Sequence, residues 1–315
     1  MNNKSILVTI IIPTYKRFDS LFRAIESAHN QTYQNIEIIV VDDNYGNEHL
    51  RLRIKKKLSV LDYNVQYLLP EKHLGSALTR NLGIKCSNGE YIAFLDDDDV
   101  YHPQKIEKQL NMMLNYNNSK LALVYCYGKI IYPNGQVELE TTDVSGIQIA
   151  KHMKNNIAGT SFWLCLKSAL LAIGGFEMDG AHDDGVVILK LMANGYCVDL
   201  VREYLVDYYV HNYDNGITGI TYTTLAADVK YFEICKKYFD LISKEEARSV
   251  TSYYFDDRNW NLIVLNEIKL SIYDIGKMAK ENVYFTTIIK CIFRIVFHRT
   301  VLAHEKKRLL SKGLE

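Results

Sequence analysis

The sequence predicts an α/β protein: a mainly parallel sheet flanked by helices, followed by a helical C-terminal region. Short β-branched apolar runs alternate with helix-period patterns over the first hundred residues. Two of these runs end on acids, at Asp42 and at Asp96, and long helices rich in Tyr, Lys and Glu begin near Leu225. Because strands separated by helices form βαβ units with parallel strands, the acids should collect at one edge of the sheet.

The elements before the second acidic run follow in a clear order. The first strand, residues 6–12, is β-branched and ends at Pro13, which has no backbone N–H to donate. Asp19 or Ser20 can cap the next helix, whose apolar residues keep a helical spacing. The following elements are a strand at 36–41, a polar helix at 48–58, a strand at 65–69, a helix at 76–85 and an apolar strand at 91–95.

The elements after the second acidic run are less regular. Pro103 suits the first turn of a helix, and the residues that follow it place an apolar face at helical spacing. A strand at 121–127 and a hairpin around residues 133–135 come next, because Pro-Asn-Gly is a turn sequence. A boundary near Leu225 gives a first domain at 1–224 and a helical region at 225–315.

Composition narrows the class of protein. The 315 residues carry 37 basic and 37 acidic side chains, and this balance argues against nucleic acid as a partner, because phosphate binding needs a basic excess. Six cysteines are scattered without a Cys-x-x-Cys pair, which predicts reduced thiols in a cytoplasmic protein. We expect no secretory signal and no membrane-spanning helix.

Four consecutive aspartates at positions 96–99 end the apolar strand at 91–95. Like charges at a strand end repel one another, and a divalent cation would offset that repulsion. Hard carboxylate oxygens suit magnesium, manganese or calcium, and ligands of open α/β sheets bind beyond the carboxyl ends of the strands. The alternative is a solvated acidic turn, which is the usual role of a charge run.

Five segments in a fixed order resemble the inverting glycosyltransferases of family 2, which have the GT-A fold. They are Pro13-Thr-Tyr-Lys-Arg17, Val40-Val-Asp-Asp-Asn44, Gly75-Ser-Ala-Leu-Thr-Arg-Asn-Leu-Gly83, the segment 88–99 with its four aspartates, and His182-Asp-Asp184 ahead of a helix. The resemblance covers about residues 6 to 220. It implies a Rossmann-like GT-A catalytic domain at 1–224 that uses a nucleotide sugar, most simply a UDP-sugar, and a divalent metal.

The resemblance also implies roles for individual residues. Asp43, with Asp42, matches the acid that reads the uracil ring, and Tyr15 offers its ring to the base. Asp96 matches the acid near the ribose, and Asp98 matches the metal ligand, with His211 a second candidate late in the fold. The implied nucleotide-binding set is Pro13, Thr14, Tyr15, Arg17, Asp42, Asp43, Arg80, Asp96 and Asp97.

Inversion requires a carboxylate that takes the proton of the acceptor hydroxyl. Asp183 and Asp184 match the Glu-Asp pair of the family, and Asp184 matches its catalytic base, with Asp183 in support. The sequence departs from the family pattern in the Asp at 183 and in Gly185, where an aromatic residue is frequent. The alternative for the pair is a helix N-terminus in which the acids only interact with the helix dipole.

The predicted activity is therefore a metal-dependent hexosyl transfer to a glycan, glycolipid or glycoprotein acceptor, as in polysaccharide biosynthesis. A non-catalytic nucleotide-sugar binding module is one alternative. A sugar-1-phosphate nucleotidyltransferase is another, although Pro13-Thr-Tyr-Lys-Arg17 lacks the glycine-rich loop of that class.

Two further features remain open between alternatives. Residues 284–302 combine an apolar helical face with Lys290, Arg294 and His298 spaced four apart. This segment either lies on an anionic membrane surface or packs against the protein or a second subunit. Trp163 either stacks on a sugar ring or belongs to the core.

Overall fold

The computed structural model describes residues 6–116, 120–177, 181–211 and 220–312. They form two compact units. The first unit comprises Met1–Ile131, Val137–Ile147 and Ile157–Tyr209, and the second comprises Tyr132–Gln136, Gln148–Asn156 and Val210–Glu315. The contact boundary lies after Tyr209, ahead of the predicted boundary near residue 225, and the contacts also assign two internal segments to the second unit.

A nine-stranded sheet forms the centre of the first unit, in the order β3–β2–β1–β4–β8–β6–β9–β5, with β7 beside β6. Strands β3, β2, β1 and β4 are parallel neighbours, as are β6 and β9, whereas β8 runs antiparallel between β4 and β6. The strands are β1 Val8–Thr14, β2 Ile36–Asp42, β3 Gln66–Leu68, β4 Tyr91–Phe94, β5 Val100–Tyr101, β6 Leu121–Ile131, β7 Val137–Glu140, β8 Leu164–Leu166 and β9 Cys197–Tyr209.

Helices cover this sheet, and the predicted α/β class is confirmed. Strand β1 is almost entirely buried, as expected of a parallel strand with covered faces. Gly83 allows α3 to approach β1, since a Cβ there would lie 2.5 Å from Cγ2 of Ile11. The helices of this unit are α1 Asp19–His29, α2 Glu48–Leu58, α3 Ser76–Cys86, α4 Lys105–Asn115, α6 Lys167–Ala172 and α7 Asp183–Ala193.

Two local predictions concern the start of α1 and the turn between β6 and β7. Helix α1 begins at Asp19, which lies in the first turn and interacts with the helix dipole, and the residue before the helix makes no side-chain cap. The predicted hairpin joins β6 to β7, and its turn is closed by a hydrogen bond from the Gly135 N–H to the Tyr132 carbonyl. Gly135 has φ +82°, a left-handed conformation that favours glycine.

The second unit is helical, as the sequence predicts. Its apolar cluster is formed by Phe255, Met278, Val283 and Cys291. The helices are α5 Ile149–Lys154, α8 Tyr222–Lys236, α9 Lys244–Val264, α10 Ile268–Met278, α11 Phe285–Val296 and α12 His298–Ser311. In the part of the chain that the structure describes, no helix combines the length and the hydropathy needed to cross a bilayer.

The basic side chains of α11 serve packing within this unit rather than a free basic stripe. Lys290 Nζ and Arg294 Nη1 lie 2.6 Å and 2.8 Å from carboxylate oxygens of Asp256 on α9. The Arg294 guanidinium also lies 5.2 Å from the ring centre of Trp260. An acid on a neighbouring helix therefore holds two of the three cations, and the two alternatives for this segment, a membrane surface and packing against the protein or a second subunit, stay predictions.

One aromatic side chain, Trp163, and one basic side chain, Lys105, lie deep in the first unit. Trp163 is completely buried and stacks on Phe176, which favours the core alternative over contact with a sugar ring. Lys105 is also completely buried, and its Nζ donates to Gln109 Oε1 at 2.8 Å and to the Trp163 carbonyl at 3.0 Å. Burial lowers the pKa of Lys105 to about 8.

This lowered pKa predicts a pH dependence of stability. Between about pH 8 and the ordinary lysine pKa the unfolded chain binds more protons at Lys105 than the folded chain, so stability should rise with pH. We expect the unfolding free energy of the wild type, relative to Lys105→Met, to increase by ~2–3 kcal/mol across this window. Urea unfolding of both proteins at several pH values measures this increase. A stability difference between them that does not change with pH would contradict the lowered pKa of Lys105.

Candidate active site

The four aspartates after β4 alternate in environment. Asp97 and Asp99 are buried, with 10% of the Asp97 side chain exposed, whereas the side chains of Asp96 and Asp98 are 31% and 15% exposed. Ser161 connects members of the run, because its Oγ accepts from the Asp96 N–H at 3.1 Å and donates to Asp99 Oδ2 at 2.6 Å. The run is therefore neither a uniform metal cluster nor a solvated turn: two acids are enclosed by protein and two remain accessible.

The buried acids hold neighbouring segments. Asp97 accepts hydrogen bonds from Thr14 Oγ1 at 2.6 Å and from the Tyr15 N–H at 3.2 Å, and Asp99 accepts one from the Tyr209 N–H. Burial raises the pKa of Asp97 to about 7, and burial together with Asp98 and Asp96 raises the pKa of Asp99 well above its usual value. The run thus carries negative charge that the protein compensates only in part.

The segment after β1 lies against this run. Arg17 bridges two of its members, with Nε 3.2 Å from Asp97 Oδ1 and Nη2 2.9 Å from Asp98 Oδ2. Lys16 has φ 59°, an unfavourable conformation for a lysine, and its N–H donates to Asn44 Oδ1 at 2.6 Å. Pro13 is the penultimate residue of β1 and pairs with Val41 of β2. The protein therefore holds this turn in one shape against the acids.

The two acids at the end of β2 differ in environment. Asp42 is fully buried and accepts from Asn44 N–H and from the Tyr67 hydroxyl, which is a packing role. Asp43 accepts from the Leu74 N–H at 2.7 Å and from the Gly75 N–H at 2.9 Å. Gly75 has φ 79°, and this left-handed conformation turns the chain into α3. Asp43 thereby anchors the loop that precedes α3.

His73 is a site residue that sequence reasoning missed. Its Nδ1 lies 2.9 Å from Asp43 Oδ2, and its ring centre lies 5.0 Å from that of Tyr15. Tyr15 is 45% exposed, so the two rings form an accessible aromatic pair beside Asp43. No sequence signal indicated His73, because a single histidine in a polar loop has no periodicity or motif.

Arg80 joins the two acidic segments of the candidate site. This side chain of α3 is buried, with Nη2 2.8 Å from Asp96 Oδ1 and Nη1 2.7 Å from Asp183 Oδ2. Burial alone would lower the pKa of Arg80. The Asp183 and Asp96 carboxylates raise it by more than burial lowers it, so the net shift is upward. The guanidinium is therefore a permanent cation between acids that lie 87 positions apart in the sequence.

Asp183 and Asp184 occupy the first turn of α7, where the helix dipole favours negative charge. Asp183 is buried, and Ser76 Oγ also donates to it at 3.2 Å. Burial raises the pKa of Asp183 despite the lowering effect of Arg80, and Asp184 adds to the rise. His182, at φ 70°, is a second strained residue at this site and begins the helix.

Asp184 is the more accessible member of the pair. Its Oδ1 accepts from the Gly185 N–H at 2.6 Å. A Cβ at position 159 would lie 3.8 Å from Asp184 Oδ2, so Gly159 adds no side chain on this side of the carboxylate. One acid of the pair is thus enclosed in an ion pair, and an oxygen of the other lies beside a glycine.

A divalent metal fits the accessible acids in part. Within residues 6–116, 120–177, 181–211 and 220–312, no three His, Cys, Asp or Glu side chains are grouped to hold a metal ion. Magnesium sites on nucleotides commonly use one or two carboxylates with phosphate oxygens, so Asp96 and Asp98 supply suitable donors without a third. His211 follows β9 and belongs to the second unit, and its role as a ligand stays a prediction.

The architecture and the acids at the sheet edge define a GT-A glycosyltransferase, and three comparisons agree with this class. A glycosyl transferase family 2 model matches residues 9–172, more than half of the chain. The chain therefore belongs to glycosyl transferase family 2. S. aureus TarS, solved over residues 1–349 in complex with UDP-GlcNAc, shares the fold with a TM-score of 0.58 at 13% identity over 95% of this chain and 91% of that chain.

Relatives by sequence carry the same class name. An uncharacterized glycosyltransferase of Methanocaldococcus jannaschii is 28% identical over 68% of this chain and 74% of its own length. An uncharacterized glycosyltransferase of Rickettsia typhi is 44% identical over 41% of this chain and 39% of its own length. The Escherichia coli glucosyltransferase WfgD is 37% identical over 42% of this chain and 49% of its own length. The match thus spans less than half of the latter two proteins.

The Arg80 bridge predicts a large cost for its removal. In Arg80→Met two carboxylates lose their shared cation, one of them buried, and we expect the unfolding free energy to fall by ~3–5 kcal/mol. Asp183→Asn in the same chain should restore part of it, because the buried charge is then removed as well. Urea unfolding measures both, with the exposed Lys85→Met on the same helix as a control. A loss no greater than that of the control would contradict the bridge.

Proposed function

We propose that the protein is an inverting glycosyltransferase that moves a sugar from a UDP-sugar to the hydroxyl of an acceptor by metal-assisted direct displacement. The observation that carries the proposal is the ion-pair bridge from Asp96 through Arg80 to Asp183. Direct displacement needs a leaving-group site and a base that face one anomeric carbon from opposite sides. The bridge brings together the two acidic segments that this arrangement requires.

Asp184 is the proposed base. Its carboxylate takes the proton of the acceptor hydroxyl as the acceptor oxygen forms a bond to the anomeric carbon. The bond from that carbon to the diphosphate oxygen breaks at the same time, and UDP leaves with the bonding electron pair. Asp183 is a positioning residue, because its own carboxylate is committed to Arg80 and Ser76.

The acidic run is proposed to hold the leaving group. Asp96 is assigned to the ribose and Asp98 to the metal, since both are accessible whereas Asp97 and Asp99 are buried. Magnesium or manganese bound there would supply a Lewis acid that neutralises the charge of the departing diphosphate. Asp97 supports the site indirectly by holding the turn after β1.

Recognition of the uracil ring of the donor is assigned to Asp43 and Tyr15. Asp42 is excluded from this role because it is fully buried and bonded to neighbouring protein groups. Asp43 lies beside the exposed pair of Tyr15 and His73, so a planar base can stack on the rings while its N–H donates to the carboxylate. Arg80, a member of the implied nucleotide-binding set, is assigned instead to the bridge between the acids.

Two relatives support the choice of donor and acceptor. The name of E. coli WfgD specifies UDP-Glc as donor and a GlcNAc-diphosphoundecaprenol as acceptor, and S. aureus TarS was solved with UDP-GlcNAc. We propose a UDP-hexose as donor and a sugar hydroxyl of a glycan, glycolipid or glycoprotein as acceptor. A cytoplasmic location is part of the proposal, because all six cysteines are free thiols.

The donor is found first by ligand-induced stabilisation. The intact chain is mixed with each of a panel of nucleotide sugars and manganese, and its melting temperature is recorded, because a ligand of the folded state raises it. We expect UDP-sugars to raise it and GDP- or CMP-sugars not to, and a chelator should remove most of the shift. A panel in which no UDP-sugar raises the melting temperature would contradict the proposed donor.

Asp184→Asn tests the base. We expect the transfer rate to fall by ~10²–10⁴, because the amide cannot accept the acceptor proton, while UDP affinity stays near that of the wild type. Product formation under saturating donor and calorimetric UDP binding measure the two effects. Asp240→Asn, an exposed acid of the second unit, is the matched control. Near-normal turnover of Asp184→Asn would show that another group takes the proton.

A further inference from the structure

The outward side of α11 is apolar along its whole length. Five side chains, between 45% and 72% exposed, form this surface, here called the α11 face: Phe285, Ile289, Ile292, Phe293 and Val296. They recur at helical spacing over three turns, so they share one side of the helix. Soluble proteins seldom expose several large apolar side chains together unless the patch binds something.

The opposite side of α11 already contributes to the core. Cys291 is completely buried, and Ile288 packs against the same apolar cluster. Lys290 and Arg294 lie on the flank and are held by Asp256. The α11 face is therefore not required for packing of the second unit, and its apolar character needs a separate explanation.

The segment that contains α11 and α12 is rich in basic side chains. Residues 285–312 contain seven Lys or Arg side chains and one acid, although the whole chain has no net charge. The acid, Glu305, is buried and paired with Arg308. Arg299, Lys306 and Lys307 of α12 are exposed. This part of the chain thus offers an apolar face and exposed cations, with no exposed acid among its described residues.

We propose that the α11 face and the exposed cations of α12 dock on an anionic lipid bilayer surface. A helix of 12 residues is about 18 Å long, too short to span the hydrocarbon core, but an apolar face with nearby cations suits a helix lying in the interface. A second copy of the chain fits less well. The same segment of a second copy would offer cations and no exposed acid to pair with the exposed cations of the first.

Lipid binding is independent of the sugar-transfer chemistry and goes beyond it. A transferase held at the bilayer acts on acceptors confined to that surface and raises their effective concentration at its active site. The proposal therefore adds a partner, anionic lipid, and an orientation of the second unit in which α11 faces the membrane.

Vesicle flotation of the intact chain tests the apolar half of the surface. We expect flotation with phosphatidylcholine vesicles that contain phosphatidylglycerol, and little with phosphatidylcholine alone. Phe293→Glu with Val296→Glu should reduce the bound fraction by about tenfold or more, because each adds a charge where the helix enters the interface. Leu52→Glu with Val60→Glu is the matched control, since both residues are exposed and lie in the first unit.

The cationic half is tested by removing charge alone. Replacing Arg299, Lys306 and Lys307 together by Gln should lower partitioning onto phosphatidylglycerol vesicles by about a hundredfold, from roughly fivefold for each cation. The control replaces Lys55, Lys56 and Lys85, which are equally exposed in the first unit, and should bind as the wild type does. Circular dichroism melting shows that each variant folds.

Two results would overturn the proposal. The first is a wild type that does not float with phosphatidylglycerol vesicles, or floats as well after Phe293→Glu with Val296→Glu. The second comes from light scattering of the free protein. A wild-type dimer that becomes a monomer in that variant, without lipid binding by either, would make a second copy the occupant of the α11 face.

Discussion

The buried guanidinium of Arg80 is the interaction on which the geometry of the site depends. It lies on α3, between an acid that follows β4 and an acid at the start of α7, and it makes a short ion pair with each. Without it, Asp183 would be a buried charge with no cation, which is costly in a protein interior. The same contact sets the position of Asp184, because Asp184 is the next residue of the same helical turn.

A second constraint is the repulsion among the four adjacent carboxylates, which occupy different environments. Four adjacent carboxylates cannot all be accessible and ionised without strong repulsion. The fold encloses Asp97 and Asp99, gives them hydroxyl and backbone donors, and raises their pKa, while Asp96 and Asp98 stay accessible. The buried acids thereby hold the surrounding turns in shape, and the accessible acids remain available for the proposed nucleotide and metal.

The order of elements was predictable, and the partners of side chains were not. Apolar runs and turn residues located β1, β2, α2 and the hairpin after β6 to within a few residues, because burial and backbone preference are local. Asp42 and Asp43 look alike in sequence, and only the sheet shows which one is enclosed. The pairing of Arg80 with Asp183 spans 103 positions, and Lys290 and Arg294 pair with Asp256 of a different helix. Such contacts depend on tertiary geometry that no local pattern contains.

Direct displacement at one anomeric carbon is the central claim, and the stereochemistry of the product tests it most directly. Once a donor is known, the α-configured UDP-sugar and an acceptor are incubated with the intact chain, and the anomeric coupling constant of the new linkage in the isolated product is read by proton NMR. A β-linked product is predicted, because the acceptor oxygen activated by Asp184 attacks opposite the leaving UDP. An α-linked product would contradict the assignment of Asp184 as the base of a single displacement.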